Sequence, residues 1–184
     1  MGQARAPHDK VKLFFGILAS SQEMIPEAQR RLALDFSEVE DVAPVTLFDH
    51  TDYYEPEMGG GLLRTWFSVR LPIFHTELVD IKLHTNRVEM IYAAGGRRRL
   101  NIDPGYVCDS KVVLATTKDH AHRIYVGRGI YEEVTLHYRR GAGFEPWPWT
   151  YADYRTPAAL AFFESVRQRL RNDKTNTRSQ HENA

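Results

Sequence analysis

The segment Phe48 to Gly61 holds four carboxylates, Asp49, Asp52, Glu55 and Glu57, together with His50, in fourteen residues. A hard cation such as Mg²⁺ or Mn²⁺ takes carboxylate oxygens, usually one or two from the protein beside water and substrate phosphate. Asp49, Asp52 and Glu57 are therefore candidate metal ligands. The same residues also fit a solvated acidic loop in which Asp49 and Asp52 make turns, and Gly59-Gly60-Gly61 suits a hinge or a close backbone approach. A second cluster begins at Asn101-Ile102-Asp103-Pro104-Gly105-Tyr106 and continues through Ser110-Lys111 to Thr116-Thr117-Lys118-Asp119. A strand meeting a Pro-Gly turn would hold Asp103 at a strand end, where open sheets bind ligands, and makes it a candidate acid or base. Lys111, Thr116 and Lys118 add phosphate-compatible donors, with Lys82 and Arg123 as further anion contacts.

A third group follows from alternation along an expected hairpin. Arg123 and Tyr125 share one face of its first strand, and Glu133, Thr135 and His137 one face of its second. That face is either washed by solvent or lines a polar cleft, in which Glu133 would orient the cations or serve as a base and Tyr125 would touch ligand. His120 and His122 stand two apart, but a metal needs a third ligand that the spacing does not supply. In Pro146-Trp147-Pro148-Trp149-Thr150-Tyr151 the prolines predict an extended segment with alternating aromatics. These either cap the sheet or, beside Arg139-Arg140, stack nucleobases. Arg97-Arg98-Arg99 reads as a solvated strand start.

These groups must be positioned by a chain of 184 residues with 42% hydrophobic residues, 24 Lys+Arg and 24 Asp+Glu. Such a length suits one compact domain. Neutral balance argues against a protein devoted to coating DNA or a membrane surface. It conceals an asymmetry: residues 1–96 carry 9 basic and 14 acidic side chains, residues 97–184 carry 15 and 10. The halves either attract one another within one fold or form opposite lips of a cleft. The single Cys108 forbids an internal disulfide and fits a reducing, cytoplasmic setting. No apolar run approaches the ~20 residues of a spanning helix, and the N-terminus lacks a signal-like layout.

Hydrophobic periodicity sets out the elements. Polar residues 1–9 and 172–184 read as disordered tails around a single domain over 10–171. Val11 to Leu18 predicts a central strand. A helix over 25–37 follows, with Ile25, Ala28, Leu32 and Phe36 in register. Strands are expected at 45–48 and 62–69, then a helix capped by Thr76 with Leu78, Ile81, Thr85, Val88 and Tyr92 on one stripe, ended by Gly95-Gly96. A strand over 97–103 completes the order β-α-β-β-α-β, so the expected fold class is α+β with a ferredoxin-like core. Residues 110–117 fit strand or helix. A C-terminal β-hairpin around Gly127-Arg128-Gly129 and a final helix led by Thr156-Pro157, with Ala159, Phe163, Val166 and Leu170 inward, extend that core. No phosphate loop of the GxxxxGK type, dinucleotide GxGxxG or GxSxG elbow occurs.

Taken together, Lys12-Leu13-Phe14-Phe15-Gly16-Ile17-Leu18, Asp52-Tyr53-Tyr54 with Glu57-Met58-Gly59, and Leu78-Val79-Asp80-Ile81-Lys82 with Thr85-Asn86 resemble a bacterial family catalogued as domain of unknown function 4416. So do Asn101 to Tyr106, Ser110-Lys111, Leu114 to Asp119, His122 to Tyr125, Pro148-Trp149-Thr150 and Asp153-Tyr154. The resemblance covers essentially the whole expected domain and implies no activity. Some members carry a GTP-binding label. Thr117-Lys118-Asp119 is superficially similar to the guanine-reading Asn/Thr-Lys-x-Asp pattern, with the Asp one position early. Because the polar motifs are those by which the family is recognised, the resemblance favours a cleft over a solvated surface.

The expected function is binding, or action upon, a phosphate-bearing small molecule or nucleotide with Mg²⁺ or Mn²⁺. One rival is a single-stranded RNA-binding or RNP-associated module, since a ferredoxin-like sheet with exposed aromatics can stack bases. Another is a non-catalytic assembly factor acting through the Trp-rich segment. No membrane partner is expected.

Overall fold

The computed structural model describes residues 10–182, with side chains through residue 175. The expected N-terminal tail, 1–9, lies outside the described residues. Strand β1 (Lys12–Ala19) is buried along its whole length because its run is apolar on both faces. Leu13, Phe15, Ile17 and Ala19 belong to one core, shared with helices α1 (Met24–Asp35) and α3 (Leu78–Ile91). Phe14 belongs to a second core with Phe162, Phe163 and Val166 of α4 (Pro157–Glu182). Helices therefore cover both faces of one sheet.

The remaining elements are β2 (Val39–Val42), β3 (Thr46–Leu47), the one-turn α2 (Glu55–Met58), β4 (Leu63–Val69) and β5 (Leu100–Val107). They continue with β6 (Lys111–Thr116), β7 (Ile124–Gly127), β8 (Ile130–Arg139) and β9 (Gly143–Pro146). Among the described residues nine strands form one sheet ordered β2-β4-β1-β5-β6-β8-β7, with β3 on β4 and β9 on β8. Among the described residues every strand pairing is antiparallel. Among the described residues no helix is long and apolar enough to cross a membrane.

Several boundaries depart from the sequence reading. The first helix is 24–35 rather than 25–37, and the edge strand beside β4 is Val39–Val42. Its sequence Val-Glu-Asp-Val has no apolar alternation, because an edge strand leaves its side chains half-exposed. The expected strand at 45–48 shrinks to the two residues of β3. Thr76 does not cap α3: the Glu77 carboxylate accepts the Phe74 N–H at 2.6 Å, and a 3₁₀ turn over His75–Glu77 leads into the helix. Residues 110–117 resolve as strand β6. The hairpin turns at Arg128 (φ 55°) and Gly129 (φ 78°), a pair of left-handed residues that matches the twist of the flanking strands. Thr156 does cap α4, accepting the Ala159 N–H at 3.3 Å, and Ala159, Phe163, Val166 and Leu170 are buried as expected. That helix runs on to Glu182, through the part of 172–184 read as a disordered tail.

The departure that matters most is at Pro104-Gly105. These residues do not turn: they lie inside β5, Pro104 opposite Phe15 and Gly105 opposite Phe14 on β1. Gly105 is required by proximity, since a Cβ there would stand 2.3 Å from the Val113 carbonyl oxygen and 2.5 Å from Phe14 Cζ. On the other side β5 pairs with β6 only from Gly105 to Val107. Past Leu114, β6 runs on through Ala115 and Thr116 paired with β8 alone. The sheet thus splits between β5 and β6. Strand geometry sends the backbone groups of Ile102 and the nitrogen of Pro104 the same way, into the split, where the missing N–H of proline costs no ladder bond. Helix α3 satisfies the orphaned edge: Glu89 Oε1 accepts the Ile102 N–H at 2.7 Å and Lys82 Nζ donates to the Ile102 carbonyl at 2.8 Å.

Candidate functional site

The split opens into a cavity of about 700 Å³. Its base is charged. Arg64 on β4, whose side chain is 6% exposed, pairs through Nε with Asp153 at 2.8 Å and lies 3.8 Å from Asp103. The guanidinium also lies over the rings of Trp66 and Tyr154. Burial works against the charged form of Arg64, yet Asp153, Tyr154 and Asp103 hold its pKa above the ordinary value. A strand this apolar accommodates arginine because both carboxylates and both rings face it. Gly16 on β1 leaves room for them: a Cβ there would come within 2.9 Å of the Tyr154 hydroxyl and 3.3 Å of Arg64 Nη2.

Asp103 stands between two cations. Its Oδ1 is 3.5 Å from Lys82 Nζ and its Oδ2 accepts from Asn101 Nδ2 at 2.8 Å. With a side chain 26% exposed, it is the most accessible of the carboxylates lining the cavity that take part in ion pairs; Glu89, Glu133 and Asp153 are all at 8% or less. Arg98 forms a two-pronged pair with Glu57 at 2.6 and 2.7 Å and reaches Glu89 and Asn101 at 3.0 Å. Those bonds to Glu57, ahead of the opposing effect of burial, raise the Arg98 pKa, and reciprocally depress that of Glu57. Glu89 moves the other way, its pKa pushed up by burial.

The far wall belongs to the segment after β6. Arg123 Nε donates to Glu133 at 2.7 Å, its Nη1 to the Lys118 carbonyl at 3.0 Å, and its Nη2 to the Tyr151 hydroxyl. Burial opposes the Arg123 charge, but the bond to Glu133 prevails and raises its pKa. His122 Nε2 is 3.0 Å from the same Glu133 oxygen. Lys118 differs from the other cations: its Nζ lies 3.9 Å from the centre of the Tyr53 ring and 5.6 Å from that of Tyr54, and no ion pair is formed with it among the described residues. Burial pushes the Tyr54 hydroxyl pKa upward, away from neutral pH.

Of the residues singled out from sequence, Lys82, Asp103, Thr116, Lys118, Arg123 and Glu133 line this cavity. Lys111 and Tyr125 do not. Lys111 sits at the start of β6 opposite His137, and Tyr125 is 59% exposed on the edge strand β7. Arg123 lies just before β7 and is buried, whereas Ile124, Tyr125 and Val126 are all exposed, so the expected alternation of that strand fails. The metal group also disperses. Asp49 and Asp52 line a separate surface depression with Glu55, and Glu57 is taken by Arg98. Among the described residues no three His, Cys, Asp or Glu side chains gather as a metal would need. Glu133, with a side chain 1% exposed, is held by Arg123, His122 and Thr135.

Arg64, Arg98, Glu89 and Asp153 were missed. The legible signal for Arg64 is a charge inside the apolar run Leu62 to Val69, whereas Arg98 sits in a triple-arginine run that reads as solvated. Trp147 and Trp149 do not alternate on an extended segment either. Thr150 N–H bonds the Trp147 carbonyl at 3.1 Å, closing a turn in which the two indoles stack at 5.2 Å and 9°.

Over residues 9–170 the chain matches the family described as Domain of unknown function (DUF4416). No curated protein and no solved structure matches it.

Proposed function

We propose that this chain, which belongs to the Domain of unknown function (DUF4416) family, binds a phosphate-bearing small molecule in the cleft between β5 and β6. The observation that carries the reading is Lys118. Every guanidinium of the cleft is paired with a carboxylate, whereas this ammonium lines the cavity, rests on the Tyr53 and Tyr54 rings and forms no ion pair among the described residues, Glu57 acting on it only at longer range. A multiply charged oxyanion is the partner such a group lacks, and Thr116 beside it adds a hydroxyl donor. Any reaction there would use Asp103 as acid or base, since it is the most accessible of the ion-paired carboxylates. Mg²⁺ or Mn²⁺ enters this reading as a companion of the phosphate rather than a resident of the acidic loop.

We read β2-β4-β1-β5, with α1 and α3 as the crossovers, as a ferredoxin-like split βαβ unit. The remaining strands extend it and supply the second wall of the cleft. The single Cys108 supports a reducing, cytoplasmic setting for this binding protein. Single-stranded RNA is the second reading, supported by the exposure of Trp149 and Tyr151. It ranks behind because the faces of Trp147 and Trp149 are already filled by one another and by His137 and His122.

The test is a thermal-shift and calorimetric screen of tripolyphosphate, nucleoside phosphates and sugar phosphates, with and without Mg²⁺. At least one class should raise the melting temperature, and Lys118→Ala should weaken its binding roughly tenfold, the value of one lost charge-assisted contact. Absence of binding by every phosphorylated compound at millimolar concentration would overturn the reading.

A further inference from the structure

Beside the cleft, rings from three segments stand in file. His120 stacks on His122 at 6.1 Å and 14°, His122 on Trp149 at 5.6 Å and 16°, and Trp149 on Trp147 at 5.2 Å and 9°. His137 of β8 closes the inner end against Trp147 at 4.2 Å. The file is held in place by bonds that do not involve the ring faces. Trp149 Nε1 donates to the Val134 carbonyl at 3.2 Å, His122 Nε2 meets Glu133 at 3.0 Å, and Arg155 donates to the carbonyls of Trp147, Pro148 and Thr150.

The outer end of the file is open. His120 lines the cavity, is covered by His122 on one face, and has no other ring contact and no side-chain hydrogen bond among the described residues. It stands two positions from Lys118, so a stacking surface and an ammonium with no ion pair among the described residues belong to the same short loop. The cavity, about 700 Å³, falls within the ~300–1,000 Å³ of small-molecule and cofactor sites and is far larger than a lone phosphate requires.

We infer that the ligand of this cleft carries a planar aromatic ring that seats on the open face of His120, and so is a nucleoside phosphate rather than a sugar phosphate or a free oxyanion. The inference rests on the phosphate reading above and names the class of molecule. A pre-stacked file loses little freedom when one more ring joins it, so most of the stacking energy appears as affinity. Base-on-aromatic stacking tolerates any base, which makes this site selective for a nucleobase but not, through His120, for which one.

Calorimetry with tripolyphosphate and with ATP and GTP separates the two layers of the argument. Both nucleotides should bind at least tenfold more tightly than tripolyphosphate. His120→Ala should remove that advantage while leaving tripolyphosphate affinity unchanged, and His120→Phe should restore it, because a phenyl face stacks without the imidazole nitrogens. Tripolyphosphate binding equal to nucleotide binding, or nucleotide affinity untouched by His120→Ala, overturns the stacking inference and leaves the phosphate reading standing. Failure of all three compounds to bind overturns this inference, and the phosphate reading falls with it only when the sugar phosphates fail to bind as well.

Discussion

Lys82 Nζ donates to the Ile102 carbonyl oxygen at 2.8 Å while standing 3.5 Å from Asp103 Oδ1. One ammonium from α3 thus closes the unpaired edge of β5 and presents its charge to the cleft. The fold and the candidate site share this contact, so the residues of the split cannot be sorted into structural and functional groups by position alone.

Replacing Lys82 by methionine keeps the apolar stem but leaves the Ile102 carbonyl without its donor. Urea unfolding should show a loss of about 1–3 kcal/mol, the cost of a buried unsatisfied polar group. An unchanged unfolding midpoint would mean that water takes over the bond and that the split is wetter than described.

The buried pair of Arg64 and Asp153 should behave differently in single and double variants. Arg64→Met strands the Asp153 carboxylate and should cost about 3–5 kcal/mol, whereas Asp153→Leu leaves the guanidinium the longer Asp103 contact at 3.8 Å and should cost less. The double variant should cost clearly less than the sum of the two, because no uncompensated charge remains. Additive losses in a double-mutant cycle would show that the two groups are not coupled.

Glu89 makes a prediction about pH. Burial holds its carboxyl above the ordinary value of 4.5, against the pull of Lys82, the Ile102 N–H and Arg98. The folded state therefore holds this proton more tightly than the unfolded chain. Its contribution to stability is full below pH 4.5 and is lost as pH rises through the raised value. Glu89→Gln cannot titrate, so the stability of the wild type relative to this variant should fall with rising pH and then level off. Parallel stability curves from about pH 4 to about pH 8 would sink the assignment.

Two glycines of the site should respond unequally to alanine. At Gly105 the added methyl meets the Val113 backbone and the Phe14 ring at 2.3 and 2.5 Å, neither of which can swing away, so Gly105→Ala should cost ~3 kcal/mol or prevent folding. At Gly16 the nearest atoms are side-chain atoms and not backbone: the Tyr154 hydroxyl at 2.9 Å, and Arg64 Nη2 and Trp66 Cδ1, both at 3.3 Å. Gly16→Ala should fold, with a loss of about 1 kcal/mol, and should displace the cleft's base. Circular dichroism with thermal melts reads both, and a Gly105→Ala protein as stable as wild type would contradict the close packing of β5 on β6.

Cleft residues were legible where their chemistry was unusual for their setting and illegible where it was ordinary. Asp103, Lys118, Arg123 and Glu133 stood out as polar groups in motifs, and the cavity gathers them. Asp49, Asp52 and Glu57 stood out for the same reason, yet Glu57 turns to Arg98 and the two aspartates face another depression. Density of carboxylates along the chain says nothing about which cation is nearer in space.

By itself the sequence determined the central strand and the buried stripes of α1, α3 and α4, because those depend on alternation and on helical spacing between residues a few positions apart. It also held every charge the cleft uses. Only the tertiary structure decided that Pro104-Gly105 continues a strand, that β6 leaves β5 after three paired residues, and that Arg64 meets Asp153. Those outcomes turn on hydrogen-bond partners and counter-charges brought from remote segments, and an unpaired strand edge or a lone buried charge gives no local sign of what will satisfy it.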